Sequence, residues 1–398
     1  MKTLNYIDPI VSPAILLDRP GLHTNFESQW NNKKQDHSQN FSVDNRFVVK
    51  YANGSKITDT RGNEYIDFNL SQGANILGHT PSYVLNAIDE ALKNGISHGM
   101  PTQAENLLAK SIREALPSVE KIKLLNSGAE AVKGAIRLAR AFTGKKRIVV
   151  IEGTNANIAN NKANDSSILP FNNINVVAET FSKYGNEIAA IFVEPIVTNR
   201  GVVLPNLEYL QFLRNITSEN QSLLIFDETT TGFRSKLSGA QGYFNVIPDL
   251  TVLGKIVGAG FPIGAVGGKK EIIALPDIES NDIPLNSITA IAGIAALKRI
   301  SSPLFYETLN HRSRDFIYCL TEITKHKGIK VNSYRSMFSI QLPEDRNYEL
   351  FHKKLMEKGV YLSPTSHEPN YISIAHLPED LNRTLEVVYN AVFNPTST

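Results

Sequence analysis

Apolar and polar positions alternate differently along the chain, and the changes mark its elements. Residues 25–46, "NFESQWNNKKQDHSQNFSVDNR", carry too few apolar side chains to bury much and read as an arm or loop. Regularity begins at "SKITDTRGNEYIDFN", where two short runs around Arg61, Gly62 and Asn63 predict a hairpin. In "SYVLNAIDEALKNG", Val84, Ile88 and Leu92 recur every fourth residue and Gly95 can cap the end, which predicts a helix.

The middle of the chain then alternates "KIKLL", a helix over 130–142, "RIVVIEG", "AAIFVEP", a helix near 206–217, "LLIFDE" and "LTVLGK". These strands are continuous apolar runs, as expected where helices cover both faces of a parallel sheet. After about residue 285, "ITAIAGIAALKRI" predicts a long helix. Beyond it "MFSIQLP", a helix around 348–358, "GVYLSP", "YISIAHL" and a last helix from about Glu379 suggest a smaller α+β unit. The expected fold class is α/β, a large domain with a mostly parallel sheet flanked by helices plus a smaller α+β domain. Its expected division is an N-terminal arm and small-domain segment over 1–75, the large domain over 76–296 and the small domain over 297–398.

Bulk chemistry narrows the function classes. Hydrophobic residues make up 42% of the 398 and charged residues 20%, and the formal charge is only +2, so nothing points to nucleic acid or a membrane as partner. The single cysteine, Cys319, excludes an internal disulfide and a cysteine-based metal cluster, which fits a reducing compartment. The first residues, "MKTLNYIDPIVSPAILLDRPG", hold no long apolar core of a signal peptide, and no run approaches the roughly 20 apolar residues of a membrane span. A cytoplasmic location is expected.

In open α/β sheets ligands bind beyond the carboxyl ends of the strands, so the residues ending each run matter most. "LLNSGAE" sets Asn126, Ser127 and Gly128 before a helix, where free backbone N–H groups and the helix dipole favour a phosphate; an ordinary serine cap is the bland alternative. "LLIFDE" brings Asp227 to the end of an apolar run, where it either caps a structural element or meets a cation. "LTVLGK" ends on Lys255, before the glycines of "IVGAGFPIGA". A phosphate cradle, a carboxylate and a lysine at three strand ends match the needs of pyridoxal phosphate (PLP): an amine for its aldehyde, a carboxylate for its ring nitrogen and a helix N-terminus for its phosphate.

Residues 226–272, "FDETTTGFRSKLSGAQGYFNVIPDLTVLGKIVGAGFPIGAVGGKKEI", resemble the class III aminotransferases of PLP fold type I, and among them most closely the glutamate-1-semialdehyde 2,1-aminomutases. "GNEYIDF", "ILGH", "NSGAEAVKGAIRLARAFTGK", "VEPIVTNRGVV" and "GVYLSPTSHEPNYISIAH" match in the same order, so the resemblance covers about residues 47–395. It implies that Lys255 is the Schiff-base lysine, that Asp227 pairs with the pyridine nitrogen, that Ser127, Gly128 and Ala129 lie at the phosphate, and that Asn199 lies near the cofactor O3′. It also implies a homodimer with active sites at the subunit interface, acting on a small-molecule amine donor and a carbonyl acceptor.

Several positions depart from that pattern. Asn155 and Ala156 stand where the family carries a Tyr-His pair whose ring stacks on the cofactor, and Phe142 or Phe181 is a candidate replacement. The segment after them is short for a gating loop, and Asp282 falls near the position of a phosphate-contacting threonine from the partner subunit. An "NSPVR"-like stretch that helps hold a substrate carboxylate is absent; Arg19, Arg46 and Arg234 are candidates for that work, with solvated or structural arginines as the alternative. His79, His98 and His376 read as structural, and Glu105 resembles a family glutamate near the active site. The preferred function is an aminotransferase of specialised metabolism. The aminomutase reaction itself, a repurposed homologue without turnover, and other chemistry on the same cofactor remain as alternatives.

Overall fold

The computed structural model describes residues 47–154, 166–275 and 284–393. The strands in chain order are β1 (Val49–Asn53), β2 (Lys56–Asp59), β3 (Glu64–Asp67), β4 (Lys121–Leu125), β5 (Arg147–Ile151), β6 (Ser166–Leu169), β7 (Ile188–Val193), β8 (Leu223–Asp227), β9 (Leu250–Gly254), β10 (Gly264–Gly268), β11 (Lys330–Tyr334), β12 (Met337–Gln341), β13 (Val360–Tyr361) and β14 (Asn370–Tyr371). Seven of them form the central sheet in the order β4-β10-β9-β8-β7-β5-β6. From β9 to β6 every pair is parallel, whereas β10 runs antiparallel to both β9 and β4.

Every residue of β7, β8 and β9 is buried, which is why their sequences read as unbroken apolar runs. Along β5 the side chains alternate between two cores. Ile148 and Val150 pack with Ala131, Ala135 and Leu138 of the helix Gly128–Thr143, and Val149 and Ile151 pack with Val177, Phe181, Leu210 and Leu213 of the helices Ile174–Tyr184 and Tyr209–Glu219. The predicted hairpin is present as β2 and β3, and β3 pairs in parallel with β13 through Val360 and Ile66. Backbone hydrogen bonds therefore join the N-terminal hairpin to a C-terminal segment.

Some elements escaped the sequence pattern. The glycine-rich β10, "GAVGG", offers almost no apolar signal, yet glycine is required there: a Cβ on Gly264 would lie 2.0 Å from the Ser127 carbonyl oxygen, and one on Gly268 2.3 Å from that of Asp249. The helices Gln103–Ala115, Ile174–Tyr184 and Phe305–Thr324 and the edge strands β1 and β6 were likewise not anticipated. "YISIAHL" contributes only Tyr371 to a strand, the two-residue β14, because Ser373 and His376 then close a turn, with Ser373 Oγ 2.9 Å from His376 Nδ1 and the His376 N–H donating to the Ser373 carbonyl.

Candidate active site

Three adjacent strands end in charge at the same edge of the sheet. Asp227 is the last residue of β8, Glu194 directly follows β7, and Lys255 directly follows β9. The helix Gly128–Thr143 begins beside them. Thr229 fixes this arrangement, since its methyl lies 3.6 Å from where a Gly128 Cβ would stand and 3.7 Å from where a Gly254 Cβ would stand. The helix N-terminus, the carboxylate and the lysine are thus brought together around one short turn.

That turn, residues 228–232, closes with the Gly232 N–H donating to the Glu228 carbonyl at 2.9 Å. Thr229 donates its backbone N–H at 3.0 Å and its hydroxyl at 2.7 Å to Asp227 Oδ1, so both bonds fall on one oxygen. Oδ2 accepts nothing from the described residues, although Asp227 is only 2% exposed. Burial pushes its carboxyl above the usual carboxylate range, against the lowering influence of the Thr229 bonds and of Lys255. Glu194 is as buried; its Oε2 accepts from the Thr198 N–H at 2.8 Å and hydroxyl at 3.1 Å, and its Oε1 has no partner among the described residues. Burial, with the Asp227 charge added, pushes the Glu194 carboxyl up to about 8.

Lys255 opens a short 3-10 turn, Lys255–Gly258, with a φ of +52°, a left-handed conformation a lysine adopts only under constraint. Its Nζ donates to Thr230 Oγ1 at 2.8 Å. Burial lowers its pKa, opposed by the charges of Glu194 and Asp227 and reinforced by that of Arg234. Such an amine is closer to its neutral, nucleophilic form than a surface lysine.

Ser127 is the N-cap, its Oγ accepting from the Glu130 N–H at 3.2 Å; Gly128 and Ala129 open the helix. Asn199 sits in the turn between Val197 and Val203, directly after the Thr198 that bonds Glu194; Gly201 of this turn donates to the His367 carbonyl at 2.9 Å and accepts from Ser339 Oγ at 2.7 Å. Arg234 is fully buried. Its guanidinium donates to the Gly73 carbonyl and to Ser336 Oγ and stacks 4.8 Å over the Tyr371 ring, so it follows the structural alternative and faces no solvent. Burial lowers its pKa to about 10.

The other candidates fall away from the strand ends. Phe142 is 43% exposed near the far end of its helix, about 20 Å from Gly128 at the rise of an α-helix, and Phe181 is committed to the core beside Val177 and Ile188, so neither replaces the stacking ring. Glu105 closes a capping box with Thr102 at its own helix start. His79 bonds Asp67 at 2.8 Å, His98 bonds the Asn94 carbonyl at 3.1 Å, and His376 is buried against Ser373. Arg19, Arg46, Asn155, Ala156 and Asp282 lie outside the described residues.

Comparison with known proteins gives this geometry a family. The model of the family Aminotransferase class-III matches residues 38–155 and 150–378. The chain belongs to the class III aminotransferases. Glutamate-1-semialdehyde 2,1-aminomutases of Desulforamulus reducens and Francisella tularensis are 37% and 36% identical to this class III chain, over 87% and 85% of its length and 90% and 89% of theirs. Among solved structures, an omega-transaminase from Sphaerobacter thermophilus superposes with a TM-score of 0.79 at 27% identity, covering 87% of this chain and 92% of that one. A beta-phenylalanine aminotransferase from Variovorax paradoxus superposes at 0.80 and 25% identity, covering 93% of each. The fold is therefore that of the PLP-dependent transferases of fold type I, and the protein is a PLP-dependent enzyme of this family.

Sequence reasoning missed Glu194, Thr229 and Thr230. A signal existed for the first: "AAIFVEP" ends an apolar run on a carboxylate just as "LLIFDE" does. For the threonines none existed, because their roles depend on which hydroxyl each turn position faces.

Proposed function

We propose that this class III enzyme is an aminotransferase that passes an amino group from a small-molecule amine to a carbonyl acceptor in specialised metabolism, with Lys255 as the residue that carries PLP. The observation that carries the reading is a buried carboxylate whose Oδ2 accepts nothing from the described residues, Asp227, linked through the adjacent Thr229 and Thr230 to a lysine whose one hydrogen-bond partner among the described residues is neutral. The residues present fit the cofactor: an acceptor for a ring N–H, an amine for an aldehyde, and a helix start, Ser127 followed by Gly128, for a phosphate.

When bound, PLP supplies an aldehyde that condenses with amines and a ring that draws electrons from the substrate carbon. Asp227 would hold the ring nitrogen protonated through Oδ2. Ser127, Gly128 and Ala129 would hold the phosphate; the Ser127 hydroxyl accepts from Glu130 and still has its own proton to donate. Asn199 would lie at the ring hydroxyl. Lys255 would act as the base that takes a proton from the substrate carbon and as the acid that gives it back, a task suited to an amine with a lowered pKa. Transfer between two molecules, rather than within one, is supported by the absence of the Tyr-His pair and of the carboxylate-binding stretch from the sequence.

The test is the absorbance of the protein with added PLP, before and after borohydride, beside Lys255→Ala. A band near about 420 nm that borohydride removes and the variant lacks is expected. Identical spectra for the two proteins would end the catalytic reading and favour a repurposed homologue.

The functional unit in this reading is a homodimer. Ile96 and Met100 are 67% and 70% exposed beside a groove of about 880 Å³ lined by Tyr83, Leu107, Ile291 and Ile294, an apolar face suited to a second copy. Light scattering should give the mass of two chains, and Met100→Asp should halve it; a monomeric wild type would refute this assembly. An exposed free thiol, Cys319, supports placing the protein in the reducing cytoplasm.

A further inference from the structure

The run Thr229-Thr230-Thr231 assigns each of its hydroxyls to a different charged group. Thr229 donates to Asp227 Oδ1 at 2.7 Å, Thr231 donates to Glu228 Oε2 at 3.2 Å, and Thr230 accepts from Lys255 Nζ at 2.8 Å. Thr230 is 3% exposed. Its bond is the one hydrogen bond of the Lys255 amine among the described residues. Glu194, Asp227 and Glu368 all act on that amine through space, yet no described carboxylate stands at ion-pair distance from it.

The identity of that partner has chemical consequences. A carboxylate at the same distance would hold the lysine as an ammonium, with no lone pair to attack a carbonyl or accept a proton. A hydroxyl accepts an N–H from the neutral amine without that penalty. One N–H directed to Thr230 also fixes the plane in which the remaining hydrogen and the lone pair can point. The turn beneath is itself fixed, by Thr229 on Asp227 at one end and by Gly232 on the Glu228 carbonyl at the other.

We propose that Thr230 is a positioning residue for the Lys255 amine, aiming its lone pair and supplying a neutral acceptor in place of a carboxylate. The proposal rests on the reading of Lys255 as the reactive lysine. Its central test, however, needs no cofactor. The cofactor-free protein is labelled with a trace of acetic anhydride across a pH series, and acetylation is read by mass spectrometry on the peptide containing Lys255.

Thr230→Ser should match wild type within about twofold at every pH. Thr230→Val should move the labelling midpoint to lower pH, because the ammonium loses a better hydrogen bond than the amine does. Thr230→Asp should raise it by about one unit, so that labelling near neutrality falls roughly tenfold. A second readout, the rate at which added PLP changes its absorbance, should fall about tenfold in Thr230→Val and recover in Thr230→Ser.

A Thr230→Val profile and rate equal to wild type would overturn the proposal. So would a Thr230→Ser protein, folded by circular dichroism, that behaves like Thr230→Val, since keeping the hydroxyl would then not preserve the behaviour of the amine. If wild type and Lys255→Ala respond identically to PLP, the functional reading fails, while the labelling profiles still decide whether Thr230 controls the amine.

Discussion

Asp249 and Asp227 sit at opposite ends of neighbouring strands of one sheet, each 2% exposed, and they are held in different ways. Asp249, just before β9, accepts from the Leu224 N–H at 2.8 Å, pairs with Arg214 at 2.8 Å and with Lys269 at 2.7 Å. Asp227, the last residue of β8, has two bonds from Thr229 on a single oxygen and, among the described residues, no cation at ion-pair distance. Glu228, one residue further on, is fully buried but accepts from the backbone of Ala240 and Gln241, from Gln241 Nε2 and from Thr231. Burial is common to all three. What separates Asp227 is incomplete pairing, which disfavours the charged form until a cationic partner arrives. The contrast is therefore between single residues: Asp249 and Glu228 have their charge met by partners, and Asp227 keeps one oxygen open among the described residues.

The contrast can be broken by removing each charge. Asp249→Asn leaves Arg214 and Lys269 facing a neutral amide and should lower the unfolding free energy of the cofactor-free protein by about 3 kcal/mol. Asp227→Asn keeps the acceptor for Thr229 and removes an uncompensated charge, so stability should change by about 1 kcal/mol or less, and in the favourable direction if it changes. Urea unfolding of both variants checks this. Equal losses would mean that Asp227 is as structural as Asp249.

The sequence made one end of this comparison legible and hid the other. Apolar runs announced β5, β7, β8 and β9 because both faces of these strands are covered, and the charged residues ending β8 and opening the turn after β9 stood out against them. Asp249 gave no such contrast. It lies in "VIPDLT", where nothing in the local pattern tells of Arg214 and Lys269 arriving from distant segments. β10 was invisible for a related reason: its glycines answer to the Ser127 and Asp249 carbonyls across the sheet, not to a period along the chain. The helix Phe305–Thr324 was legible in principle, since Phe305, Leu309, Phe316 and Leu320 share its buried face, but many polar residues between them obscured the period. Hydrophobic patterning thus recovers layers well and recovers hydrogen-bond partners hardly at all.

Glu194 sharpens the comparison through pH, with a smaller effect than the loss of Asp249. Its carboxyl is pushed up from an ordinary 4.5 to about 8 by burial and by the Asp227 charge, and its Oε1 has no partner among the described residues. Because the folded pKa lies above the unfolded one, the native state keeps a proton that the unfolded chain releases. The stabilisation is fully present below about pH 4.5 and is lost as pH rises through about 8, an effect on the order of 2 kcal/mol once shared titration with Asp227 and Lys255 is allowed for. Glu194→Gln retains an oxygen for Thr198 and cannot titrate, so its advantage over wild type in urea unfolding should grow steadily as pH is raised across that window. A constant difference between the two proteins at all pH values would mean that Glu194 titrates alike in the folded and unfolded chain, and would leave Asp227 as the underpaired acid among the described residues at these strand ends.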